Sequence, residues 1–194
     1  MLYRPAQFRD VQKTLKPVGS PVDWPITLQQ AKDRLNFGTT TEDDDRQIQD
    51  LIPAAVEMVE KDCQRAIANR VWKLYLDEFP HGEIELRMPP IVGDVVITYL
   101  DTAGDSQTLS DTLYETDLVG APGRIVPAEG TTWPATDCTP NAVTVSFTAG
   151  YGATPIPPTL IEACLLALKA LYYGCEPGDS YWSKINRNRW EGGL

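Results

Sequence analysis

At 194 residues, 42% hydrophobic and 23% charged, the chain can bury one sizeable core with a smaller appended module, and it has the balance of a soluble globular protein. Its 27 acidic against 17 basic side chains give a formal net charge of -10, which argues against gripping nucleic acid, because phosphate binding is supplied by Lys and Arg. A single histidine and four dispersed cysteines, Cys63, Cys138, Cys164 and Cys175, with no CxxC pair, nearly exclude zinc.

Residues 1–26 carry Pro5, Pro17, Pro21, Pro25 and Gly19 without a sustained period and read as an extended N-terminal arm. Arg4 and Arg9 interrupt any apolar run there, so no secretory leader is expected, and no later stretch reaches membrane-spanning length. Thr27 with Gln30 makes a capping-box signal for a short helix through Leu28, Ala31 and Leu35, ending before Gly38. The stretch 41–70 follows as a long helix with an apolar stripe of Ile48, Leu51, Ile52, Ala55, Val56, Val59, Cys63 and Ile67. Thr41 is placed to cap it, with Asp43, Asp44 and Asp45 at the positive end of its dipole. Pro53, inside the stripe, should bend the helix rather than end it.

After Arg70 the period becomes two. Trp72, Leu74 and Leu76 alternate with polar neighbours, as do Ile84, Leu86 and Met88, and these read as half-buried antiparallel strands. The stretch 95–100 is apolar on both faces, which predicts a central strand. Short strands are expected around Thr108, at 113–115 and at 124–126. The Gly-, Pro- and Thr-rich stretch 120–141 is expected as a surface excursion anchored by Trp133, and Val143, Val145 and Phe147 mark the clearest strand. Pro155, Pro157 and Pro158 lead into a helix over 159–173 in which only Glu162 and Lys169 carry charge, so it is central to a core or lies between subunits. Gly174 ends it, and a polar, basic tail with Trp182 and Trp190 follows.

The fold expected is α+β. A small bundle of short helix, long kinked helix and C-terminal apolar helix (27–70 and 155–174) carries an inserted antiparallel β-sheet module (71–154), between the arm and a tail over 175–194.

Signals for chemistry are weak. Consecutive carboxylates on a helix point in different directions, so Asp43, Asp44 and Asp45 do not converge on a cation. Gly150-Tyr151-Gly152 lacks the third glycine of a dinucleotide fingerprint, His81 lies in a turn without an evident companion, and no GxSxG motif occurs. The chain therefore reads as no enzyme, with no catalytic residue, metal or cofactor. In the tail, Trp182, Lys184, Ile185, Arg187, Arg189 and Trp190 are of types enriched at binding hot spots, and they either dock on a partner or fold back on the body.

The stretches ITLQQAKDRLNF, DDDRQIQDLIPAAVEMVEKDCQRAI, WKLYLDEFP, IELRMPPIVGDVVITYLDTAGDSQTL and VTVSFTAGYGATPIPPTLIEACLLALKALYY together resemble the head-to-tail connector, or adaptor, proteins of tailed bacteriophages, in the subgroup with a β insertion. The resemblance runs from about residue 26 to residue 173 and does not extend well to either end. It implies a structural virion protein of the neck, made in the host cytoplasm. Its partners would be itself in a ring, dodecameric in the family, the portal protein above, and the next neck or tail-completion protein below. DNA would pass through the channel without sequence-specific binding, and no membrane is involved.

The resemblance further implies that the tail residues 182–190 dock between portal subunits as a segment that orders on binding, so that truncation after Gly178 should leave a folded protein unable to bind portal. On the same footing Ile161, Cys164, Leu165, Leu168 and Tyr172 of the last helix are expected in the core or a subunit interface, and Asp43, Asp44 and Asp45 are candidates to face the channel. Another neck or tail-completion ring protein, or a peripheral tail or baseplate binding module working through its β insertion, is the alternative.

Overall fold

The computed structural model describes residues 13–36, 44–137 and 139–190. In chain order these form β1 (Lys13–Val18), α1 (Leu28–Leu35), α2 (Asp45–Cys63), β2 (Arg70–Leu76), β3 (Ile84–Leu86), β4 (Val96–Leu100), β5 (Ser106–Thr108), a 3-10 turn (Asp111–Leu113), β6 (Tyr114–Asp117), β7 (Gly123–Pro127), β8 (Val143–Ala149), α3 (Pro158–Tyr173) and α4 (Asp179–Asn188). The class is α+β, as the change of hydrophobic period at Arg70 dictates.

Local signals set the helix ends. The capping box forms at α1, where the Gln30 amide donates to Thr27 Oγ1 at 3.2 Å and the Thr27 amide donates to Gln30 Oε1 at 2.9 Å. At α3, Pro158 enters the first turn and Gly174 closes the helix in the left-handed region at φ 63°. α2 runs through Pro53 but is shorter than its stripe suggests, because Gln64 adopts a left-handed conformation and stops it. Ile67 is still buried, now from the link between α2 and β2. Thr41 and Asp43 lie outside the described residues; Asp44 stands at the N-cap position without a side-chain capping bond.

Two apolar clusters divide the chain. The first joins Ala31 and Leu35 of α1, the stripe of α2, and Leu160, Ala163, Cys164, Ala167 and Leu168 of α3, with Tyr181 and Ile185 of α4. The second gathers Trp72, Leu74 and Leu76 of β2, Ile97 of β4, and Val143, Val145 and Phe147 of β8 with Ile84, Leu86 and Ile125.

The β region differs from the expected single module. It forms a five-stranded sheet ordered β1-β2-β8-β4-β5 and a separate three-stranded sheet ordered β3-β7-β6, with every pairing antiparallel. Three corrections follow. The strand expected to be central, β4, lies one place in from an edge with Val96 46% exposed, and β8 holds the centre. The segment 13–18, expected as part of an extended arm, pairs with β2 from Lys13 opposite Leu76 to Val18 opposite Val71. The strand expected at 124–126 forms as β7 with Ile125 fully buried, so the surface excursion expected over 120–141 is interrupted by it. Neither sheet pairing is visible in periodicity, because partners chosen from far along the chain leave no local trace.

Candidate functional site

The helical base and the sheet meet at a buried polar joint. Glu60 and Arg70 pair with side chains only 3% and 5% exposed. Glu60 Oε1 accepts the amides of Ile67 at 2.7 Å and Ala68 at 3.0 Å, so one carboxylate closes the link that carries the chain from α2 to β2. Burial raises the Glu60 carboxyl above its ordinary value, opposed by those two amides and by Arg70. The Arg70 guanidinium also lies 5.2 Å from the centroid of the Trp72 ring. On the other side Gly150, at φ 122°, sits so close to the link that a Cβ would lie 2.5 Å from the Ala68 carbonyl oxygen. Its amide donates to the Pro90 carbonyl at 2.9 Å, and the Tyr151 amide donates to the Ile67 carbonyl at 3.3 Å. The glycine of FTAGYG therefore serves close backbone packing at the joint. In the sequence Glu60 lies inside the stretch 41–70 read as a long helix and outside its apolar stripe; its partner ten residues on, beyond a helix stop, could not be read from spacing.

The tail is folded back on the body. Tyr181 and Ile185, both 0% exposed, are one helical turn apart on α4 and enter the helical core. The Tyr181 hydroxyl donates to Asp62 Oδ2 at 2.5 Å, and burial and that bond together push its pKa up. Further ties bind the end of the helix: Arg65 Nε donates to the Asn188 carbonyl at 2.6 Å, Arg189 Nε to the Asp62 carbonyl at 3.0 Å, and the Trp190 amide to the Cys63 carbonyl at 3.0 Å. Ile185, grouped by sequence with the docking residues, is thus a core anchor in this conformation and is covered by its own chain. Trp182, Arg187 and Arg189 remain exposed, with Lys184 and Trp190 half-buried beside them. Truncation after Gly178 would remove two core side chains as well as these exposed groups, so it is not the clean test that an unstructured tail would allow.

On α3, Cys164 and Leu168 are fully buried in the core, whereas Ile161, Leu165 and Tyr172 are half-buried. Leu171 and Tyr173 are exposed on the last turn. Arg34 of α1 pairs with Glu162 of α3 at 2.8 Å next to Leu165. α3 therefore packs one face inward and keeps an apolar flank partly open.

Of the acidic candidates, Asp43 lies outside the described residues, and Asp45 is engaged by Lys32 at 2.6 Å across the α1–α2 pair. Asp44 is half-buried at the head of α2. Among the described residues no group of three or more His, Cys, Asp or Glu side chains comes together as a metal site. No described helix is long and apolar enough to cross a membrane.

What these residues bring together is a buried polar joint, a latched terminal helix and partly open apolar and basic flanks. Residues 25–118 match the family model described as phage gp6-like head-tail connector protein. Among solved structures it is similar to a chain of the neck of an empty gene transfer agent (GTA) particle computed with C6 symmetry, at 22% identity and TM-score 0.76, covering 93% of this chain and 97% of that one. It is also similar to a chain of the native GTA virion, at 19% identity and TM-score 0.75, and to one of the native neck computed with C12 symmetry, at 22% identity and TM-score 0.73, with the same coverage in both cases. No curated protein matches the chain.

Proposed function

We propose that the protein is a head-to-tail connector of the virion neck, a ring of copies of this chain beneath the portal that joins capsid to tail and lines the DNA channel. The observation that carries this reading is the likeness over 93% of the chain to a chain of a solved neck structure, together with the match to the connector family model over 25–118. The C6 and C12 symmetries of the neighbouring neck structures support a ring, and a dodecamer is the expected size. A head-to-tail contact that closes on itself gives such a ring, and the open flank of α3 at Ile161, Leu165 and Tyr172 supplies apolar surface for it.

Trp182, Lys184, Arg187, Arg189 and Trp190 form the portal-docking surface. α4 either meets the portal in its latched position or is released from the groove that holds Tyr181 and Ile185. The net charge of -10 suits a channel through which DNA slides without sticking. The next neck or tail-completion protein binds the opposite face.

The test is to mix the purified protein with its portal ring and determine the mass and symmetry of the product by single-particle electron microscopy. A second ring stacked coaxially on the portal, with α4 density at the junction, is the expected result. A persistent monomer that does not bind portal would overturn the proposal.

A further inference from the structure

A cleft of about 500 Å³ opens where β2 leaves the five-stranded sheet, between residues 78–81 and 131–136. The Phe79 and Trp133 rings in it stack with centroids 5.0 Å apart and planes 6° from parallel, and Tyr99 of β4 meets Phe79 edge-on at 5.6 Å. Trp133 Nε1 donates to the Gly82 carbonyl at 2.8 Å, which fixes the indole plane. A half-buried aromatic cleft of this kind accepts a proline-rich segment in the polyproline II form, because that form is already extended and loses little freedom on docking. The cleft end of the molecule is also acidic. Asp77, Glu78 and Glu129 stand there, and neither 77–82 nor 125–142 contains a lysine or arginine.

A segment of the matching kind stands on the surface of the same chain. The link into α3 reads Pro155-Ile156-Pro157-Pro158, and Pro157, at φ -53° and ψ 130°, is close to polyproline II geometry. Three residues make one turn of that form, so Pro155 and Pro158 share a side about 9 Å apart. Burial follows the same period: Pro155 and Pro158 are exposed, whereas Ile156 and Pro157 are half-buried and Ile156 packs on the helical core. Positive charge lies beside the link. Asn188 Nδ2 donates to Thr159 Oγ1 at 3.1 Å, and the carbonyl of Asn188 accepts Arg65 Nε at 2.6 Å, with exposed Arg189 next in the chain.

Cleft and link cannot meet within one chain. Leu76 pairs with Val143 at the start of β8, and the Asn141 amide donates to Asp77 Oδ1 at 2.9 Å, so the cleft sits at that end of the strand. The link follows Ala149 at the other end, about 20 Å along β8, and Ile156 ties it to the helical core of its own chain. Two different patches that face opposite ways and match in shape and charge make a head-to-tail contact between copies, the kind that closes into a ring.

We infer that the link 155–158 of one copy docks in the aromatic cleft of the next, with Pro155 and Pro158 on the Phe79 and Trp133 rings and the Arg65 side facing Glu78. The inference rests on the proposed ring, in which this contact repeats around the circle. It adds a second bond between neighbours to the apolar flank of α3, and it assigns the cleft end of the sheet to the subunit boundary.

The experiment uses the full chain carrying photoreactive benzoylphenylalanine in place of exposed Ala153, which leaves both prolines intact. An equal mixture of 15N-labelled and unlabelled protein is assembled on the portal ring and irradiated; linked peptides are mapped by mass spectrometry and the particles are imaged by electron microscopy. Links from position 153 into 78–81 or 131–136 are expected, half of them between differently labelled peptides. Their yield should fall several-fold in Trp133→Ala and in Glu78→Lys, each compared at unchanged Tm. Glu78 is exposed, so its variant keeps the test valid if removal of Trp133 disturbs the fold. A coaxial ring with links elsewhere, with no links, with links only within one label, or with undiminished yield in the folded variants would overturn the contact and leave the ring standing. The expected links in particles that are not rings would uphold the contact and overturn the ring; neither links nor rings would overturn both.

Discussion

Gly150 is the residue on which the joint between base and sheet turns. Its φ of 122° is open to glycine, and the nearest atom to an added Cβ is the Ala68 carbonyl oxygen, which belongs to a backbone held by Glu60 and cannot swing away. Gly150→Ala should therefore destabilise the protein by about 2–4 kcal/mol in urea unfolding, whereas Gly82→Ala, where no atom lies within 4 Å, should be close to neutral. Glu60→Ala belongs to the same joint and should cost about 3–5 kcal/mol, because it strands the Arg70 guanidinium in the interior. The cysteines make a second test at this scale. Burial pushes the Cys63 thiol up to about 11 and Cys164 higher still, while Cys175 is exposed. Brief alkylation of the folded protein at pH 8 should mark the peptide of Cys175 and leave those of Cys63 and Cys164 unmodified, because the thiolate is the reacting form.

At the scale of elements, α4 separates two roles that the sequence alone had merged. One face, Tyr181 and Ile185, belongs to the core, and the other, Trp182 and Arg187, faces solvent. Ile185→Ala should lower stability by about 2–4 kcal/mol through the cavity it leaves. Trp182→Ala should change stability by less than about 1 kcal/mol yet weaken portal binding, measured by co-sedimentation with the portal ring. The turn between β4 and β5 offers a pH readout. Asp101 accepts Gln107 Nε2 at 2.8 Å and the amides of Ala103 and Asp105 at 2.9 and 3.0 Å, and these bonds hold its carboxyl below the ordinary 3.8. A depressed carboxyl lends its turn stability that is complete above pH 3.8 and is lost as pH falls through the lower folded value. Amide exchange at Ala103 and Asp105 should accelerate in that acid window and be insensitive to pH-linked opening above it.

At the scale of the whole molecule the question is what a ring of these chains presents to DNA. Asp45 is occupied by Lys32, so reversing its charge would disturb the α1–α2 contact as well as any channel field. Asp44 carries no such ion pair among the described residues, which makes Asp44→Lys the cleaner probe of the channel proposal. Particles assembled with that variant should eject DNA more slowly at low salt and recover at high salt, since screening removes the added attraction. Unchanged ejection would place the head of α2 away from the channel.

The sequence by itself determined the elements whose apolar residues repeat within one helix or strand: the stripe of α2, the apolar α3 closed by Gly174, the capping box of α1, and the alternating β2 and β8. It also carried the family resemblance, since that rests on runs of residues. Only the tertiary structure decided what depends on partners far along the chain. The β strands sort into two sheets, β1 joins an edge, and α4 packs back although it has just two core-facing apolar anchors, Tyr181 and Ile185, in a polar stretch. The joint shows the reason most directly: Glu60, Arg70 and Gly150 are unremarkable where they stand in the chain. They become a unit once α2 stops at Cys63 and β8 returns beside the link, because a buried charge and a glycine are each forced by contacts that no local pattern encodes.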